Sequence, residues 1–70
     1  MKIAIIHHRT LYDVIRVSDD KVLARMPGGT TITSYTDAAW IVKRAARRLK
    51  LRVIRVELFP CVIFATLRPA

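Results

Sequence analysis

An aromatic residue set among cations is the feature of this sequence best suited to chemistry. Trp40 precedes Lys43 by three residues, Arg44 by four and Arg47 by seven, spacings that make side chains neighbours on one side of a helix. An indole plane can stack on a nucleic-acid base while the cations hold phosphates. Trp and Arg also dominate the binding hot spots of protein interfaces. Alternatively, the ring is covered by its own arginine stems, a chain end or a dimer mate, and binds nothing.

The cations around Trp40 form a run of a single sign. From residue 43 to residue 55 the chain has seven cations and no acid. At about 100° per residue with Lys43 at zero, the helical cations fall between about −20° and 140°, Trp40 near 60°, and the apolar residues between about 160° and 300°. Alternation along the following strand predicts that Arg52 and Arg55 lie on opposite faces, with Arg52 nearer the helix. The predicted binding residues are Trp40, Lys43, Arg44, Arg47, Arg48 and Arg52.

The candidates for catalysis and metal binding are weaker. His7 and His8 are adjacent on a predicted strand and point to opposite faces, so they cannot chelate one metal ion together. One of them could act alone as a general acid or base on RNA, but a histidine at the core edge beside a solvent-exposed one is the more ordinary interpretation. Cys61 begins an apolar strand, where a cysteine usually acts as a small hydrophobic residue. Residues 27–31 read Pro-Gly-Gly-Thr-Thr without the pattern of a phosphate-binding loop, which favours a turn. We therefore expect no catalytic residue, no metal site and no cofactor.

The elements that would position these residues can be predicted from periodicity. A helix from Ser34 or Thr36, either of which can cap it, to about Lys50 has an apolar stripe at three- and four-residue spacing. Strands are predicted at Lys2 to His8, in a hairpin from Leu11 to Met26, at Leu51 to Phe59 and at Cys61 to Leu67, with a further short strand or a helix lead-in at Thr30 to Thr33. The fold class is therefore α+β: a single small domain with an antiparallel or mixed sheet of four to five strands and one long helix, in the order β-β-(β)-α-β-β.

The predicted hairpin has a register that can be checked. If Val17 pairs with Val22, then Ile15 faces Ala24 and one side of the hairpin is nearly all apolar. The other side then carries Arg16 and Arg25 together, a secondary candidate for anion binding. The strand from Cys61 is almost wholly apolar, which predicts that both of its faces are covered.

Composition limits the partners that the chain can have. Thirteen Lys and Arg against five Asp and Glu give a net charge of +8 over 70 residues, a balance that attracts polyanions such as nucleic acid or an acidic or nucleoprotein partner. Because 53% of the residues are hydrophobic and so small a domain has little interior, we expect some apolar surface in a homodimer contact. A single cysteine fits a cytoplasmic location, and the apolar runs are too short for a secretory signal or a membrane span.

One resemblance exists at the level of topology. The segment from Tyr12 to Arg48, a hairpin followed by a short extended piece and a helix, resembles the arm-binding domains of phage-type integrases. It covers about half of the chain, and the two C-terminal strands are not part of that pattern. The compact chain also resembles the accessory proteins that phages and mobile elements encode. No residue role is transferred from either resemblance.

Three functions are compatible with the sequence. The first is a non-enzymatic nucleic-acid-binding module that contacts phosphates and bases through the basic, Trp40-containing helix face. The alternative is a small phage-type inhibitor or adaptor that docks on a host nucleoprotein or defence complex through the same surface. A small ribonuclease using His7 or His8 is the third.

Overall fold

The structure is a computed structural model, and it describes residues 1–28, 34–60 and 62–70. The predicted fold class is confirmed: the chain forms an antiparallel sheet of five strands with one helix, in the order β-β-β-α-β-β, within the described residues. The strand predicted as an alternative at residues 30–33 and the first residue of the last predicted strand, Cys61, lie outside these ranges. The elements are β1 (Lys2–His8), β2 (Leu11–Arg16), β3 (Lys21–Pro27), α1 (Tyr35–Leu49), β4 (Leu51–Phe59) and β5 (Val62–Pro69).

The order of the strands explains where the helix lies. The sheet runs β3-β2-β1-β5-β4 with every neighbouring pair antiparallel. Because β3 and β4 are the two edges and α1 connects them in sequence, the helix covers one face of the sheet. The core lies between that face and the apolar stripe of the helix, and its fully buried side chains include Ile3, Val14, Val42, Ile63 and Leu67.

The ends of α1 follow from local chemistry. Of the two predicted caps, Ser34 is the one used: its backbone is extended and its Oγ accepts a hydrogen bond from the amide of Asp37 at 3.2 Å. Asp37 also places a negative charge in the first turn, where the helix dipole favours it. The helix ends at Leu49, and the next residue, Lys50, caps it: Lys50 takes the left-handed conformation with φ 59° and donates its amide to the carbonyls of Ala46 and Arg47.

The predicted register of the hairpin is wrong. Val14 pairs with Ala24 but Ile15 pairs with Val22, so Leu23 is an extra residue that forms a β-bulge. Turn chemistry and alternation alone do not reveal such an insertion, and one extra residue reverses which side chains share a face. Arg16 and Arg25 are consequently not a pair on one face.

A second bulge lies in β4 and changes another prediction. Val53 pairs with Leu67 and Arg55 with Thr66, which leaves Ile54 as the extra residue. Since Arg68 and Thr66 are two residues apart on β5, their partners Arg52 and Arg55 lie on the same face of the sheet. The prediction that these two arginines lie on opposite faces is therefore wrong, because strict alternation fails at a bulge.

The second face of the sheet, which we call the open face, has no helix over it in the described part of the chain. On β5, Ile63, Ala65 and Leu67 are buried beneath the helix, whereas Phe64 and Thr66 on the open face are only half-buried. The prediction that both faces of this strand are covered thus holds for one face within this chain. Among the same described ranges, no helix combines the length and the apolar character needed to cross a membrane.

Candidate functional site

The outward side of α1 carries the first candidate site, which we call the helix surface. Burial of Ala38, Ile41, Val42, Ala45 and Ala46 against the sheet fixes the rotation of the helix and turns the opposite side to solvent. Five of the six predicted binding residues are exposed there and define the helix surface: Trp40, Lys43, Arg44, Arg47 and Arg48.

Trp40 is the most exposed large hydrophobic residue of the described part of the chain. Its side chain is 67% exposed. The cation–π contact found in the described ranges joins Lys2 and Phe64, so no arginine or lysine of the helix stands over the indole. A ring this exposed can accept another planar group.

The cations of the helix surface have no carboxylate partners in the described residues. The ion pairs found there join Arg16 to Asp19, Arg25 to Asp13 and Arg55 to Glu57. None of them involves the helix.

Two further observations concern these cations. Arg44 donates a long hydrogen bond of 3.5 Å from Nη2 to the carbonyl of Pro27, at the end of β3. Arg47 and Arg48 occupy the last turn, where a positive charge also stabilises the helix through its dipole. All five residues of the helix surface are exposed.

Arg52, the sixth predicted binding residue, lies elsewhere. Its neighbours Leu51 and Val53 pack against the core beneath the helix, so alternation directs Arg52 to the open face. There it stands directly opposite Arg68 of β5. The structure thus brings five of the predicted residues together and separates Arg52 from them.

Arg52 belongs instead to a second cationic group that sequence reasoning missed. Lys2 of β1 pairs with Thr66 of β5, which pairs in turn with Arg55 of β4. The paired arginines at positions 52 and 68 form the next row of the same corner of the open face. Four cations from three strands therefore share this corner. Among the described residues, the acid that pairs with one of them is Glu57, 3.6 Å from Arg55. The bulge at Ile54 and the pairing of β1 with β5 bring these cations together. Neither feature can be predicted from the local sequence pattern.

Two aromatic rings lie next to this corner. Phe59 and Phe64 meet edge to face with ring centroids 5.5 Å apart. The ammonium group of Lys2 lies 5.0 Å from the centroid of Phe64, while Phe59 is 46% exposed. We call Lys2, Arg52, Arg55, Arg68 and Phe59 the sheet surface. It has the same combination of cations and an exposed aromatic ring as the helix surface.

A scan against protein-family models and searches of curated proteins and of solved structures returned no match.

The arginines of the hairpin are neutralised locally. Arg16 donates from Nε and Nη2 to the two carboxylate oxygens of Asp19, at 2.9 and 2.6 Å. This hydrogen bonding holds the pKa of Asp19 down to about 2. Arg25 is 3.2 Å from Asp13, its partner across β2 and β3. The hairpin is therefore a poor site for an added anion.

The two histidines differ in their surroundings. His7 is half-buried with its ring 5.0 Å from that of Tyr12, and its Nε2 is buried without a hydrogen-bond partner. His8 is exposed at the end of β1. Within residues 1–28, 34–60 and 62–70, no three His, Cys, Asp or Glu side chains come close enough to hold a metal ion.

Proposed function

We propose that this protein is a non-enzymatic nucleic-acid-binding module and that the helix surface is its main contact. The observation that carries the proposal is the exposure of Trp40, at 67%, among cations that have no carboxylate partner in the described residues. A soluble domain gains nothing for its own stability from leaving its largest aromatic side chain in water. Exposure of this kind is typical of a residue that is covered by a ligand.

The chemistry of the helix surface fits phosphate and base together. Lys43, Arg44, Arg47 and Arg48 span about one and a half turns of the helix, and their long stems let each head group move to a phosphate oxygen. Trp40 lies on the same side of the helix, where it can stack on an unpaired or terminal base. Neither group reads the pattern of donors and acceptors on a base edge in a fixed geometry, so we expect affinity with little sequence preference.

The proposal is tested by the salt dependence of binding. Fluorescence anisotropy with labelled DNA and RNA oligonucleotides, between about 50 and 200 mM salt, should give affinities that fall steeply as salt is added. Arg47→Ala should weaken binding similarly for all sequences and reduce the slope of log affinity against log salt by about 1.

Lys21→Ala is the matched control for this test, because it removes the same charge at the exposed start of β3. It should leave the slope within the error of wild type. Absence of binding to both DNA and RNA at about 50 mM salt would falsify the proposal.

A second candidate function rests on the same residue. An exposed Trp beside arginines is also typical of a protein-binding hot spot, which supports the alternative of a phage-type inhibitor or adaptor that docks on a host nucleoprotein or defence complex. That function predicts one stoichiometric protein partner in a pull-down, lost with Trp40→Ala. Recovery of nucleic acid alone would count against it.

The proposal includes a cytoplasmic homodimer. Two chains of charge +8 repel, so their contact is best made where charge is balanced. The open face of β1, β2 and β3 meets this condition. Ile6 and Val22 are exposed apolar residues there, and the charges of Asp13 and Arg25 beside them neutralise each other in an ion pair. Light scattering should give twice the chain mass, and Ile6→Glu should give the chain mass.

A further inference from the structure

We infer that the sheet surface is a second nucleic-acid site and that it takes single-stranded rather than double-stranded nucleic acid. The inference rests on the proposed function for the class of ligand, but it concerns different residues on the other side of the molecule.

Arg52 and Arg68 are partners in the register of β4 and β5. Like charges directly opposite each other on neighbouring strands destabilise a sheet, and neither arginine has a carboxylate partner in the described residues. A phosphate between the two guanidinium groups converts this repulsion into two charge-assisted contacts, since each planar fork can donate to an oxyanion.

The next row of the sheet extends the site along the strands. Lys2, Thr66 and Arg55 lie side by side on β1, β5 and β4. Thr66 brings a hydroxyl group to the centre of this row, between two cations. Glu57 lies 3.6 Å from Arg55, so the corner keeps a net charge of about three after this pair is counted. Two cationic rows about 6 to 7 Å apart can follow successive phosphates of one strand.

The aromatic residues decide between single and double strands. Phe59 is 46% exposed and rests edge to face on Phe64, which holds its ring in place. An exposed ring on a sheet face stacks on a base only if that base is unpaired, because the bases of a duplex are already stacked on each other. From Phe59 to the row of Arg52 is about 20 Å along β4, room for several nucleotides.

A single strand suits this face better than a second protein chain does. The interior of a protein interface is depleted in charged residues, whereas this half of the open face presents four cations and two aromatic rings. The half of the open face formed by β1, β2 and β3 has balanced charge instead, which suits a contact with a second protein chain. The two halves can therefore have different occupants.

The test uses two probes and two pairs of variants. The probes are a fluorescein-labelled 15-nucleotide oligo(dT) and a labelled 15-base-pair duplex, followed by anisotropy. Arg52→Ala with Arg68→Ala should weaken oligo(dT) binding at least about tenfold and duplex binding less than about twofold. Phe59→Ala should weaken oligo(dT) binding by about tenfold and leave the duplex unaffected. Far-UV circular dichroism confirms that each variant is folded.

The control removes two charges away from both surfaces. Lys21→Ala combined with Arg9→Asn serves this purpose, since Arg9 has φ 57° and Asn tolerates that conformation. Full oligo(dT) affinity in the Arg52/Arg68 variant, combined with its loss in an Arg44→Ala/Arg47→Ala variant, overturns the second site and leaves the proposed function standing. Equal losses for both probes in the sheet variant overturn the preference for single strands. If the wild-type protein binds neither the oligo(dT) nor the duplex, both the second site and the proposed function are overturned.

Discussion

Arg52 of β4 lies directly opposite Arg68 of β5, on the face of the sheet that α1 does not cover. Both side chains are exposed, so water and salt weaken their repulsion without removing it. We therefore expect the two opposed arginines to reduce the stability of the fold slightly. Substitution of this pair can therefore have opposite effects on the stability of the fold and on nucleic-acid binding, and both effects can be measured.

The pair predicts that Arg68→Glu stabilises the fold while weakening nucleic-acid binding. Glu opposite Arg52 replaces a like-charge pair by an opposite-charge pair, a change worth roughly 0.2 to 1 kcal/mol on a sheet. Urea unfolding at low salt should show the midpoint rising, and the gain should shrink at about 0.5 M salt. Arg68→Gln, which removes the charge without reversing it, should give an intermediate midpoint. A midpoint at or below wild type in Arg68→Glu would show that the two arginines do not repel in the free protein.

Gly28→Ala is predicted to destabilise the fold through Tyr12. A Cβ at position 28 would overlap the ring of Tyr12, which is 3% exposed and pairs with Met26 in the core. The ring cannot withdraw into a packed interior without strain, so we expect a loss of about 1 to 3 kcal/mol in the free energy of unfolding.

A double-mutant cycle checks the cause of this loss. In a Tyr12→Leu background the same Gly28→Ala change should cost about 0.5 kcal/mol or less, because the overlapping ring is gone. An equal cost in both backgrounds would mean that the backbone at position 28, rather than the ring, resists the substitution.

The elements of this fold could be predicted from the sequence because local patterns encode them. Alternation and short apolar runs predicted the strands, and the spacing of Ala38, Ile41, Val42 and Ala45 predicted the helix and its buried side. The same spacing placed Trp40 opposite the core. Each of these properties depends on residues close together in the chain.

The errors arose where the pattern is interrupted or where distant strands meet. The bulges at Leu23 and Ile54 each add one residue to a strand. The alternation of apolar and polar residues does not reveal where such an insertion lies. Predicting the sheet surface also required the pairing of β1 with β5, which joins Lys2 to Thr66 near the two ends of the chain. Lys2 could not be connected with Arg68 from the sequence for this reason.

The ion pair of Arg16 and Asp19 predicts a titration in the acid range. Hydrogen bonding to the guanidinium group lowers the pKa of Asp19 from its ordinary value of 3.8 to about 2. Because the folded-state pKa is the lower one, the contribution of the pair to stability is complete above about pH 4 and is lost as the pH falls from there through about 2. NMR titration of the side-chain carboxyl should place the midpoint near 2, and Arg16→Ala should return it toward 3.8. A midpoint that does not respond to Arg16→Ala would assign the low pKa to another cause.

Trp40 and Tyr35 form a matched pair for testing the helix surface. Both are exposed aromatic residues of α1, at 67% and 59%, but five residues place them about 140° apart around the helix, so Tyr35 lies off the cationic side. Neither supports the core, and each change to Ala should alter the free energy of unfolding by no more than about 0.5 kcal/mol. Trp40→Ala should weaken binding of a single-stranded oligonucleotide about tenfold through the loss of base stacking, and Tyr35→Ala less than about twofold.

The same experiment has an internal optical readout. Trp40 is the single tryptophan of the chain, so its emission reports on that ring alone, and stacking on a base should quench it in proportion to the anisotropy change. Trp40→Phe keeps a planar ring and should recover part of the affinity lost in Trp40→Ala. If saturating oligonucleotide leaves the emission unchanged and both alanine variants bind equally well, the indole does not contact the nucleic acid. Binding would then have to be assigned to the cations of the helix or to the sheet surface.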